Sequence, residues 1–240
     1  MKIIENCSVE QIISNPKKYN NVLSGSENGV IFRNLWATEF IENLKKWVFD
    51  QRIKNGLSGD IKYSKETKNH FKIVDKNLET NRPTRFIGHQ FFLWNKEQNS
   101  FYHDFFLDFI KVRNILNNED IDLTITKTEK FVSWIAILQY RRGGDFLATH
   151  KDGYKFQSIL MMSEKGKDFL TGGQYFLHDK NGHVFTENNF KKGDLLMLKA
   201  NCYHGVHPID PNIQLTNNSI EGRWIMFSPY LDKKIIENNL

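Results

Sequence analysis

Two cysteines, Cys7 and Cys202, and five prolines are all that 240 residues contain of either type. Two thiols cannot build a disulfide framework, so a stapled secreted scaffold is excluded and a reducing cytoplasm is the expected compartment. No apolar run approaches the ~20 residues that cross a bilayer. The opening MKIIENCSVEQII places acidic residues where a secretory signal needs an apolar centre. A membrane partner is therefore not expected. Charge of one sign is also scarce in any one place: 33 Lys and Arg against 28 Asp and Glu leave a net +5, spread over short runs such as NPKKYN and LDKKII. A nucleic-acid footprint would cluster on one face, so nucleic acid is disfavoured as a partner. No internal repeat, low-complexity tract or linker interrupts the chain, and one domain over 1–240 is the economical expectation.

Aromatic residues are abundant instead, with 19 Phe, 8 Tyr and 5 Trp, and they supply ample core. Residues 1–120 read as helix-rich. Ser8 followed by Gln11 forms a capping box for a short helix ending near Pro16. TEFIENLKKWVFDQRIKNG sets Phe40, Ile41, Leu44, Trp47 and Val48 on one helical stripe that stops at Gly56, and SFYHDFFLDFIKVRNILNN does the same with Phe101, Phe105, Phe109, Val112 and Leu116. The polar stretch 56–80 has no clear period and is expected to be a long loop or mobile flap. From about 122 the pattern changes to short β runs with turns between them, among them FVSWIAILQY, QSILMMS, GGQYFLHD, HVFTENNF, DLLMLKA and RWIMFSPY. Strands at this spacing favour a sandwich or barrel, so the expected class is α+β with a mainly β core over 121–240.

The chemistry begins at THKDGY. In an extended strand, residues two apart emerge on the same face, so His150 and Asp152 would stand side by side. Such a pair suits a surface contact, a dyad or part of a metal site. KKGDLLMLKANCYHGVHPID adds His204 and His207 after an apolar strand, and EGRWIMFSPY puts Arg223 at the start of another. Two imidazoles and one carboxylate make the facial triad that leaves open positions on a non-haem iron. Arginine offers a permanently charged fork suited to a carboxylate. Asp145, after Gly143-Gly144, reads as a turn residue rather than a rival ligand, and His178-Asp179 as a solvated turn.

HKD (150–152), TGGQYF (171–176), KGDLLML (192–198), HGVHP (204–208) and GRW (222–224), in this order, resemble the core of the Fe(II)/2-oxoglutarate-dependent dioxygenases, and YRRGGDFLATHKDG is similar to their prolyl-hydroxylase-like branch. The resemblance covers about residues 139–230. It implies a double-stranded β-helix (jelly roll) with N-terminal supporting helices. It also implies His150, Asp152 and His204 as Fe(II) ligands, and Arg223 with Tyr140 as holders of the co-substrate 2-oxoglutarate, with ascorbate as an optional addition. The family's H-x-V form selects His204 over His207, which becomes a rim residue; Cys202 is expected to be a small buried side chain. The reaction implied consumes O₂ and hydroxylates a C–H bond, releasing succinate and CO₂.

Two departures stand out: 19 residues separate His204 from Arg223, making 208–221 look like an insertion, and Ile225 stands where some branches place a serine. A zinc hydrolase would leave Arg223 without a use, and a non-catalytic jelly roll should have lost a ligand. A nucleic-acid demethylase would show a second arginine after Arg223. The expected substrate is a small molecule, an amino acid or other metabolite, with a peptide or protein side chain as the alternative. Segments 56–80 and 208–221 are expected to close over it, and RPTRFIGHQFFLW to line its pocket through Arg82, Arg85, His89, Phe91, Phe92 and Trp94.

Overall fold

A computed structural model describes residues 1–20, 22, 29–59, 67–76, 82–123, 131–152, 156–178, 182–199 and 202–232. In chain order its elements are β1 (Lys2–Ile4), α1 (Val9–Ser14), α2 (Pro16–Tyr19), β2 (Gly29–Phe32), α3 (Thr38–Asn55), β3 (His70–Lys76), β4 (Thr84–Phe92) and α4 (His103–Leu116). They continue with β5 (Phe131–Tyr140), β6 (Phe146–His150), β7 (Phe156–Met161), β8 (Gly173–His178), β9 (Gly182–Phe185), β10 (Leu195–Lys199), β11 (His204–His207), β12 (Arg223–Phe227) and β13 (Tyr230–Asp232). The helices start and stop where local chemistry directs. The Ser8 hydroxyl accepts the Gln11 N–H while the Gln11 side chain accepts that of Ser8. Gly56, at φ 75°, ends α3 by donating its N–H to the Arg52 carbonyl.

The strands form one curled sheet in the order β1-β2-β10-β7-β12-β5-β4-β6-β11-β8-β9, with β3 added on β4 and β13 on β5. Its two faces carry different cores. Leu195, Met197, Trp224 and Met226 pack outward with Ile41, Leu44 and Val48 of α3 and with Phe106 and Phe109 of α4. Leu196, Leu198 and Ile225, one residue out of phase, pack inward with Tyr140, Ile159, Phe176 and Val206. β10 is apolar at four successive positions because both of its faces are covered.

Three expectations need correction. Residues 1–120 contribute four strands, not only helices. β2 and β4 lie inside the sheet path, and 70–76, expected within a flap, is the strand β3 paired along its length with β4. GVIF is too short to declare a period, and the alternation of HFKIVDK is blurred by its polar neighbours; their strand state comes from pairing. The other parts of 56–80, residues 60–66 and 77–80, lie outside the described residues. Phe101 is 84% exposed because α4 begins only at His103, and Phe106, Ile110 and Ile115 share the core stripe instead. The segment 208–221 is fastened down: Ile209 is fully buried, Arg142 pairs with Asp210 and Glu221, and Gln139 donates to the carbonyls of Ser219 and Glu221.

RPTRFIGHQFFLW is mostly core. Phe91 and Phe92 are fully buried, Trp94 stacks on Phe92, and Arg85 pairs with Asp145. His89, also fully buried, stacks on Trp224; its Nδ1 lies 2.9 Å from the Ile137 carbonyl and its Nε2 3.4 Å from an Arg52 nitrogen. That pattern asks Nδ1 to donate and Nε2 to accept, so the ring is neutral. Burial first, and the Arg52 charge second, push its pKa down to about 3. Unfolded, the same ring titrates near ~6.5. The unfolded state therefore binds the extra proton between these values, and the stabilisation, complete above about pH 6.5, is lost as pH falls. We expect the loss from His89 to reach about 2–3 kcal/mol by roughly pH 4.5. His89→Gln, which cannot titrate, should flatten urea-measured stability against pH by that amount relative to wild type. Parallel profiles would refute the assignment.

Candidate functional site

Period-2 alternation carries one set of side chains to the inner face: Leu138 and Tyr140 on β5, Gln157 and Ile159 on β7, Gln174 on β8, His204 and Val206 on β11, and Arg223, Ile225 and Phe227 on β12. With Arg82, Leu147 and His150 they line one cavity. Antiparallel pairing of β6 with β11 sets His204 directly opposite His150, their ring centroids 4.3 Å apart. Asp152 follows two residues after the end of β6, with one carboxylate oxygen 3.4 Å from His150 Nε2 and the other 3.2 Å from His204 Nε2. One ligand atom from each of the three lies within 4.8 Å of the others.

Each imidazole is oriented by the backbone next to it. His150 Nδ1 is 2.9 Å from the Ala148 carbonyl, and His204 Nδ1 is 3.0 Å from that of Cys202. A carbonyl only accepts, so Nδ1 donates and each ring turns its Nε2 inward toward Asp152. Burial alone would raise the Asp152 pKa, but the two histidines beside it outweigh burial and hold the carboxyl well below the usual range. Asp152 Oδ2 is buried with no hydrogen-bond partner. Two ring nitrogens and a carboxylate facing one another could hold a cation, and the donor set of two nitrogens and one oxygen fits Fe(II).

At another part of the cavity wall, Arg223 is fully buried at the start of β12, opposite Tyr140. Its Nε donates to Glu187 at 2.9 Å, its Nη2 to Gln174 at 3.0 Å, and its Nη1 is buried without a partner. The guanidinium lies 5.6 Å from the Tyr140 ring centroid. Burial pushes the Tyr140 phenol up and Arg223 opposes it; the net direction is upward, which keeps the O–H as a donor. An unsatisfied, charged N–H group in a cavity also lined by His150 and His204 fits the distal carboxylate of a 2-oxo diacid.

The structure thus brings together His150, Asp152, His204, Arg223 and Tyr140. Asp145 is kept apart, buried against Arg141 and Arg85. His207 packs against Tyr175, the rings tilted by 42° with centroids 4.2 Å apart. Cys202 is half-buried, and its carbonyl rather than its thiol serves the site. Asp179 lies outside the described residues. Of the aromatic-basic stretch 82–94 only Arg82 reaches the cavity, and no residue of 208–221 is among its lining. Sequence reasoning missed Gln157, Gln174 and Glu187. The first two could have been found from strand parity with Ile159 and Phe176; Glu187, beyond β9, gave no signal.

No protein-family model matches the sequence, and no curated protein is similar to it. Solved structures do resemble it in shape. A full-length Neurospora crassa protein, solved in complex with alpha-KG and thymine, superposes with a TM-score of 0.55 at 9% identity over 97% of this chain and 86% of that one. A Pseudomonas putida prolyl-4-hydroxylase gives 0.46 at 10% identity, covering 92% of this chain and 97% of its own. The non-heme alpha ketoglutarate dependent epimerase SnoN from nogalamycin biosynthesis gives 0.48 at 8%, covering 93% and 82%. At this level of identity what is shared is architecture: the chain has an α+β fold with a curled, jelly-roll-like sheet as its core, and the Neurospora protein shares that fold.

Proposed function

We propose that this protein is an Fe(II)- and 2-oxoglutarate-dependent oxygenase that hydroxylates a small molecule, an amino acid or other metabolite. The observation that carries the reading is that two imidazoles of a His150–Asp152–His204 cluster line the same cavity as a buried guanidinium with one nitrogen lacking a partner. His150 Nε2, His204 Nε2 and an Asp152 oxygen would hold the iron; Arg223 Nη1 would take the distal carboxylate of 2-oxoglutarate, assisted by the Tyr140 hydroxyl. Bound there with O₂, the metal and co-substrate supply the oxidising power, converting 2-oxoglutarate to succinate and CO₂ while oxygen enters a C–H bond. The chain's part is positioning and exclusion of water. Leu138, Leu147, Ile159, Val206, Ile225 and Phe227 keep the cavity apolar. The Gln157 Oε1, buried without a partner, awaits a donor, and Arg82, 4.0 Å from Asp152 and half-exposed, supplies charge. An apolar body with a polar group suits a cavity lined in this way.

The direct test is succinate formation by the iron-loaded protein against a panel of amino acids, other metabolites and peptides. Turnover with a metabolite supports the reading; turnover with peptides alone would transfer it to a protein side-chain hydroxylase. Arg223→Leu should raise the concentration of 2-oxoglutarate required by about tenfold, because the hydrogen bond from Nη1 is lost, and leave the iron requirement nearly unchanged. An unchanged co-substrate requirement would place the anchor elsewhere.

A further inference from the structure

Arg223 is not presented to the cavity as a free fork. The Glu187 side chain, only 2% exposed, reaches under β8, and one oxygen accepts both Arg223 Nε at 2.9 Å and the Gln174 backbone N–H at 2.6 Å. Its path runs across Gly173: a Cβ there would lie 2.6 Å from Glu187 Cγ and 2.7 Å from Glu187 Cβ. The second glycine of TGGQYF, at φ +112°, is therefore the opening through which this carboxylate reaches the arginine. The Gln174 side chain takes Nη2 at 3.0 Å, leaving Nη1 for the cavity. Such an arrangement fixes the plane of the guanidinium and also places a buried negative charge against its positive one.

We propose that Glu187 is a positioning residue that makes Arg223 a one-armed, charge-compensated anchor, so that the site discriminates only weakly between a 2-oxo diacid and a 2-oxo monoacid of the same length. The inference rests on the oxygenase reading of the site. A carboxylate arriving at Nη1 meets the attraction of Arg223 already offset by Glu187, and what remains for selectivity is mainly one hydrogen bond.

The test is calorimetric binding of 2-oxoglutarate and of 2-oxopentanoate, which lacks the distal carboxylate, to Fe(II)-loaded protein under nitrogen. Glu187→Gln keeps an acceptor oxygen for Nε and removes the charge. It should tighten 2-oxoglutarate by about tenfold or more, since a unit charge within a few ångströms matters that much even at an effective dielectric constant of about 20. The affinity for 2-oxopentanoate should move by less than about threefold. Glu187→Asp, which keeps the charge, should not tighten 2-oxoglutarate. If Glu187→Gln does not fold, Gln174→Leu tests the other arm: it frees Nη2 to swing and should weaken 2-oxoglutarate by about fivefold or more while sparing 2-oxopentanoate. A ratio of the two affinities unmoved in the folded variants overturns the role of Glu187. If 2-oxoglutarate binds wild type and depends on Arg223 in that outcome, the oxygenase reading stands. If neither acid binds wild type, both fall together.

Discussion

Asp152→Ala is expected to lower Fe(II) affinity by more than about a hundredfold, the upper end of the loss when a residue merely supporting a ligand is removed. It should also abolish succinate formation and the weak visible band of an iron-chelated 2-oxo acid under anaerobic conditions. The reason is geometric. Asp152 is the one anionic member of the cluster, and its two oxygens face the two Nε2 atoms at 3.4 and 3.2 Å. The fold itself should not suffer, because Oδ2 is buried without a hydrogen bond and its removal relieves desolvation. Added metal should therefore raise the melting temperature of wild type by mass action and leave that of Asp152→Ala unchanged. Full iron affinity in Asp152→Ala and in His150→Ala would dismiss the triad.

Asp145→Ala should do the reverse. Asp145 is fully buried, accepting Arg141 Nε at 2.7 Å, Arg141 Nη2 at 3.0 Å, the Arg141 N–H at 3.0 Å and Arg85 Nε at 2.9 Å. Removing the carboxylate strands a buried guanidinium and costs about 3–5 kcal/mol. The denaturant midpoint should fall accordingly, while the folded fraction still binds one iron. A loss of metal stoichiometry with unchanged stability would make Asp145, five residues before His150, the true ligand.

The contrast between these carboxylates shows what was legible in the sequence. HKD and HGVH identify the residues that the structure brings together because strand alternation and short spacing act locally, and β6 ends where THKDGY suggests. The capping box at Ser8 and the stop at Gly56 were legible for the same reason. Illegible features depend on partners distant in the chain. GVIF becomes β2 because β10 offers it an edge, and TRFIGHQFF becomes β4 because β5 and β3 flank it. Asp145 reads as a turn residue until Arg85, 60 residues earlier, is seen beside it. The segment 208–221 reads as mobile because its anchors, Arg142 and Gln139, precede it by some 70 to 80 residues.

Each metal-facing histidine leans on a carbonyl two residues before it, whereas Arg223 leans on Gln174 and Glu187, 49 and 36 residues away. The imidazoles carry their bracing with them, so sequence drift elsewhere in the barrel leaves their aim intact. The guanidinium's aim is set by a glycine gap, a hairpin return and a distant acid, any of which can change by itself. A substitution at residues 173–187 can therefore turn the guanidinium without moving either imidazole.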